Sequence, residues 1–255
     1  MTTGHLSPEK PTIFWMPGCS SCLRLKEFME GTGLAFDAIN VEEDDAAAEF
    51  LAGQNVRLPA ISWNGTCRNG VALASVAELL GVPYSPPVML DPAELVRRYD
   101  RVNTVLQSML RHLTPETEGL RFPHRRRDLA ELFGHAGCTM RYFLGKFDDA
   151  EFSLLFDDLE PEARDAADLG VFIEGTRRAV AEWWEDMDPD DPMDDVLDSY
   201  WGAHTMHELL EREVWHAAQH TRQIAHLLQE AAVQLTDTLS DDDLDGLPVP
   251  RRIYA

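Results

Sequence analysis

Ile13-Phe14-Trp15-Met16-Pro17-Gly18-Cys19-Ser20-Ser21-Cys22 is an apolar run broken by Pro-Gly, which leads into a Cys-x-x-Cys and the amphipathic stretch Ser21–Glu30. The pattern predicts a strand that delivers two cysteines to the start of a helix. A helix N-terminus presents unpaired backbone N–H groups and a partial positive charge, so a thiolate at Cys19 is stabilised there. Cys22, one turn on, is placed to resolve a mixed disulfide formed at Cys19. A structural zinc half-site would use the same spacing, but no second Cys-x-x-C or close histidine pair accompanies it nearby.

Around this motif the chain alternates strand and helix signals. Ala35–Asn40 reads as a second strand and Ala46–Ala52 as a helix. Arg57-Leu58-Pro59-Ala60-Ile61-Ser62-Trp63 reads as a strand, Asn64-Gly65 as a tight hairpin turn, and Val71–Leu80 as a helix stopping before Gly81. The order is βαβαββα over residues 11–81, an α/β thioredoxin-like arrangement. With Cys-x-x-Cys after the first strand and a proline opening the third, it resembles the glutaredoxin family. That resemblance implies that Pro59 is a cis-proline lying against the Cys19–Cys22 pair, and that Leu58 offers backbone hydrogen bonds to a bound thiol. It also implies a disulfide or mixed-disulfide substrate and a low-molecular-weight thiol such as glutathione as cosubstrate. Ser20-Ser21 stands where many members have Pro-Tyr, and Asn69-Gly70-Val71 where glutathione users carry another signature. A reductase or a different thiol therefore remains open as electron donor.

The proline-rich 82–91 segment cannot continue a helix and reads as a linker. Beyond it helical periodicity takes over in four segments, Pro92–Leu113, Arg127–Phe147, Pro161–Asp186 and His204–Leu235, which predict an all-α four-helix bundle over 92–235. A short turn or helix is expected between Asp148 and Glu160. The run from Ser240 to Asp243 opens an acidic, solvated tail over 236–255.

In the last long segment His216 and His220 are four residues apart, which puts both on one helix face. Two imidazoles so placed can grip one ion. His135, on the second helix's apolar stripe, is the candidate third ligand, and three histidines with an open position make a catalytic arrangement. One histidine in the second helix and H-x-x-x-H with a following Gln223 in the last resemble the DinB/YfiT-like four-helix metalloproteins over residues 91–232. The resemblance implies that His135, His216 and His220 ligate a divalent metal, zinc or nickel foremost. It further implies a metal-dependent thiol transferase activity of the kind that uses bacillithiol, mycothiol or related thiols, and a possible homodimer. A redox or metal sensor whose bundle has no catalytic role is the competing reading.

Other features carry blander expectations. His204 and His207 form a rival pair at a helix start. Cys67 and Cys138 read as buried small hydrophobes. The aromatic pairs Trp183-Trp184 and Tyr200-Trp201 read as core, and Arg125-Arg126-Arg127 as a solvated loop with carboxylate binding as the alternative.

The chain has 255 residues, 44% hydrophobic and 26% charged, enough for two ordinary folded domains. Acidic side chains outnumber basic ones 45 to 22, a formal charge of −23 that repels phosphate backbones and makes nucleic acid an improbable partner. No stretch has the length and apolarity of a membrane span, and no signal pattern opens the chain, so neither a membrane partner nor export is expected. Four cysteines, two of them in the Cys-x-x-Cys, fit a reducing cytoplasm.

Overall fold

The short apolar segment Thr12–Trp15 forms strand β1, and its chain turns at Met16–Gly18 into helix α1, Ser20–Thr32. Gly33 ends that helix in the left-handed region, with φ of 71°, where a side chain would be strained. Strand β2 is Asp37–Asn40, and helix α2, Asp45–Gln54, is capped by the Asp44 carboxylate accepting from the Ala47 N–H. Strands β3, Ala60–Trp63, and β4, Thr66–Asn69, flank Asn64-Gly65, both at positive φ as a two-residue hairpin turn requires. Helix α3, Leu73–Leu80, completes the βαβαββα order. This computed structural model describes residues 10–149, 151–188, 191–199 and 201–254.

The sheet runs β2-β1-β3-β4, with β1 parallel to β2 and antiparallel to β3. Alternation along β1 sends Ile13 to one face and Phe14 to the other. Ile13 joins Leu25, Met29, Ile61, Leu73 and Val76 beneath α1 and α3, while Phe14 joins Ala47, Leu51 and Ala60 beneath α2. The result is a small mixed sheet with helices on it, a thioredoxin-like fold.

The helical region begins with α4, Pro92–Met109, whose Asp91 cap and N1 proline mark its start, followed by a 3-10 turn at Leu110–His112. Helix α5, Leu129–Asp148, opens on a capping box in which Asp128 and Glu131 each accept from the other's backbone N–H. Then come the one-turn α6, Phe156–Leu159, and the long α7, Ala166–Asp186. Strands β5, Val196–Ser199, and β6, Gly202–Thr205, precede α8, Met206–Glu230, and the short α9, Asp241–Leu244, closes the set. Helices α4 and α5 each pack against both α7 and α8, so the four long helices enclose one core.

The chain divides into two compact units, one of Met1–Pro87, Ser199–Gly202 and Pro250–Ala255, the other of Val88–Asp198 and Ala203–Val249. Three sequence expectations change at this level. Val82 and Tyr84 pack on the first unit's core, with Tyr84 edge-on to Phe28 at 5.5 Å, so the proline-rich stretch is a linker only in part. The expected solvated tail is anchored at two places. Arg101 of α4 pairs with Asp237 and Asp243, and Leu247 is buried. Within the first unit the Arg251 and Arg252 backbone N–H groups both donate to the Glu27 carboxylate at 2.8 Å. Carboxylates dense enough to look solvated in one dimension find arginines far away in sequence. Last, β5 and β6 occupy residues whose strand signal is weak, and Thr205 caps α8, which shortens the expected His204–Leu235 helix.

Candidate functional site

Cys19 is the N-cap residue of α1, and its sulfur accepts the Cys22 N–H at 3.1 Å. The two cysteines form a disulfide with Cα atoms 5.1 Å apart. Cys22 is fully buried and Cys19 only partly, so an incoming thiol or disulfide meets Cys19 first. The Leu58–Pro59 peptide bond is cis, the geometry the family resemblance implies. Phe14 pairs with Ala60 in the antiparallel register, so Pro59 stands at the end of the sheet where β1 leads towards Cys19. Leu58 is half-buried beside it in the chain. Cys67 is part-buried on β4, and burial pushes its thiol up to about 11, which leaves it protonated.

In the second unit α5 and α8 bring His135, His216 and His220 together. Ring centroids are 4.6 Å apart for His135–His220, 4.7 Å for His216–His220 and 5.3 Å for His135–His216. All three are buried, and one ligand nitrogen from each lies within 4.8 Å of the others. Phe156 of α6 stands edge-on to His216 at 5.0 Å and to His135 at 5.7 Å. Gly137 keeps α5 close to α7 here, since a Cβ on it would sit 2.6 Å from Ile173. Each histidine's Nδ1 has an acceptor: Glu160 for His135 at 2.6 Å, Glu213 for His216 at 3.3 Å, and Gln223 for His220 at 2.8 Å. With Nδ1 so engaged, the Nε2 atoms are the ones positioned to ligate, and outward acceptors of this kind orient metal-binding imidazoles. Three buried, neutral imidazoles make a donor set that fits a divalent transition ion.

Burial, reinforced by nearby arginines, holds all three imidazoles well below their ordinary range. Glu213 goes the other way, pushed up to about 7 by burial against the opposing pull of Arg212. An unfolded imidazole takes up its proton below a pH of about 6.5. The folded rings do not, so the unfolded chain binds more protons and stability falls as pH drops through that value. Protonation of Glu213 in the folded state offsets one of these three protons between its unfolded value and about 7. Metal-free protein is therefore expected to lose stability from this cluster as pH falls below about 6.5. Denaturant melts at pH 5 and 7 on wild type and His216→Ala check this; an equal pH slope in both would refute it.

The arginine run does not form the solvated loop expected of it. Arg125 is buried and donates to the Gln223 amide oxygen at 2.7 Å, and Arg127 pairs with Glu160 and Asp157; only Arg126 is exposed. Charge beside a buried polar cluster draws these chains inward. Cys138 is buried as expected, its thiol donating to the His135 carbonyl, and it also forms a metal-capable group with His135 and Glu160. Burial raises it well above an ordinary thiol. His204 meets Glu208 and His207 meets the Leu90 carbonyl, and neither joins a metal-capable group among the described residues. Trp183 packs edge-on to Phe143 at 4.8 Å, as core. Tyr200 lies outside the described residues.

Glu160, Glu213 and Arg212 escaped the sequence reading. Glu213 had a signal, since it precedes His216 by three residues on the same helix face; Glu160 comes from a separate segment and had none.

Residues 12–67 match the family model described as Glutaredoxin. That match supports a thiol–disulfide oxidoreductase-like function for the first unit and glutathione-type thiols or disulfides as its partners. No curated protein matches the chain. Among the described residues no helix is long and apolar enough to cross a membrane.

Proposed function

We propose that the chain is a two-part thiol enzyme: a glutaredoxin-like thiol–disulfide oxidoreductase at Cys19–Cys22, joined to a DinB-like bundle that holds a divalent metal on His135, His216 and His220 and transfers a thiol. The observation that carries the second half is the meeting of three buried imidazoles from two helices, each with Nδ1 turned to its own acceptor.

In the first part, the Cys19 thiolate attacks one sulfur of a disulfide substrate and expels the other as a thiolate, which takes up a proton. The Cys22 thiolate then attacks the Cys19 sulfur, releases the second substrate thiol and closes the disulfide seen here. Two electrons pass to the substrate, and an external thiol or reductase returns them. Pro59 and the Leu58 backbone would align the incoming sulfur beside Cys19.

A divalent ion in the bundle would lower the pKa of a bound thiol and favour its nucleophilic thiolate near neutral pH. The chain's own residues do the rest. Glu160, Glu213 and Gln223 orient the imidazoles, and Phe156 helps exclude water on the α6 side. Burial keeps the rings neutral and able to ligate. The first part would keep the thiol cosubstrate of the second reduced.

The test is to assay the purified protein on a small disulfide with glutathione or a thioredoxin-type reductase as donor, and to measure its metal. Turnover with one donor and about one divalent ion per chain are expected. No turnover with either donor would sink the first half; no ion after loading with zinc or nickel would sink the second.

A further inference from the structure

The three histidine acceptors share a second feature. In each case the oxygen that meets Nδ1 is also met by an arginine. Arg127 bonds the same Glu160 Oε1 that faces His135. Arg212 bonds the same Glu213 Oε2 that faces His216, at 3.1 Å. Arg125 bonds the same Gln223 Oε1 that faces His220, at 2.7 Å. Three arginines from two segments thus repeat one arrangement, arginine to acceptor to histidine.

The Gln223 case yields a definite consequence, because an amide has both a donor end and an acceptor end. A guanidinium carries donors only, so the atom it meets must be the amide oxygen. That same oxygen lies 2.8 Å from His220 Nδ1. An oxygen acceptor requires a donor, so Nδ1 carries the ring proton and Nε2 keeps its lone pair. Were the amide turned round, its NH2 would face Nδ1, the proton would move to Nε2, and Nε2 would have no lone pair with which to ligate. Arg125, Gln223 and His220 are all at least nine-tenths buried, so bulk water does not set the amide's orientation.

We propose that Arg125 is a positioning residue for the metal centre: by clamping the Gln223 amide it fixes the His220 tautomer that can ligate. This rests on the metal-centre reading above, and it extends that reading to the arginine run, where Arg127 serves Glu160 in the same way. A neutral acceptor needs such a clamp more than a carboxylate does, since either carboxylate oxygen accepts.

The experiment is nitrogen-15 NMR of the histidine rings in the metal-free full chain, with zinc affinity measured by chelator competition, on wild type, Arg125→Met, Arg125→Lys and the neighbouring exposed Arg126→Met. Wild-type His220 is expected as the Nδ1–H tautomer, R125M as a mixture of tautomers with zinc binding weakened roughly tenfold or more. R125K should recover part of that loss, and R126M should match wild type. Wild-type affinity in R125M, or an Nε2–H tautomer in the wild type, would overturn the proposal. Should R125M not fold by circular dichroism, the wild-type tautomer decides alone. Should wild type bind no zinc, the metal reading fails, while the tautomers of wild type and R125M still decide what Arg125 does.

Discussion

Cys19→Ser is expected to abolish disulfide reduction, by roughly a thousandfold or more, while Cys22→Ser stops after the first step with substrate held on Cys19. The asymmetry follows from position. Cys19 sits at the helix cap, partly exposed, where the α1 dipole and the open N-terminus favour its thiolate; Cys22 is fully buried and bonded to the Cys19 sulfur. Neither change removes much packed volume, so both variants should keep their fold. Mass spectrometry after incubation with a small disulfide reads the outcome directly. An adduct on C22S and none on C19S is the expected pair. C19S turning over at the wild-type rate would remove Cys19 from the nucleophile's role.

His216→Ala/His220→Ala is expected to take the bound divalent metal from about one per chain to none. A single remaining imidazole, His135, cannot hold a transition ion against water and chelator. Elemental analysis of wild type and variant after zinc loading and desalting makes the comparison. Truncating two buried rings also opens space between α5 and α8, so circular dichroism should confirm the fold before metal content is read. Metal kept by the double variant but lost on Cys138→Ser would move the ion to the His135, Cys138 and Glu160 group instead.

How far the sequence carried this reading differs between the two units. Around Cys19 the signals are local. The strand, the Pro-Gly break, the Cys-x-x-Cys and the Asn64-Gly65 turn each lie within a few residues, and the observed β1 at Thr12–Trp15 coincides with its apolar run. Helix ends moved where a cap outranked periodicity, as at Asp128 for α5 and Thr205 for α8. In the helical unit the His216–His220 spacing was legible because one helix carries both. The burial of Arg125 and the pairing of Arg101 with Asp237 were not, because a charged residue's partner there comes from another segment.

By itself, then, the sequence determined where the Cys-x-x-Cys pair stands, that a thioredoxin-like unit precedes long amphipathic helices, and that two imidazoles share one face. Those properties follow from backbone periods and chain punctuation, which act over a turn or a hairpin. Only the tertiary structure decided that His135 meets that pair, that Glu160, Glu213 and Gln223 back the three rings, and that arginines hold those acceptors in turn. The reason is physical: a buried polar group must find its partner in whatever segment packing brings beside it, and separation along the chain says nothing of which segment that is.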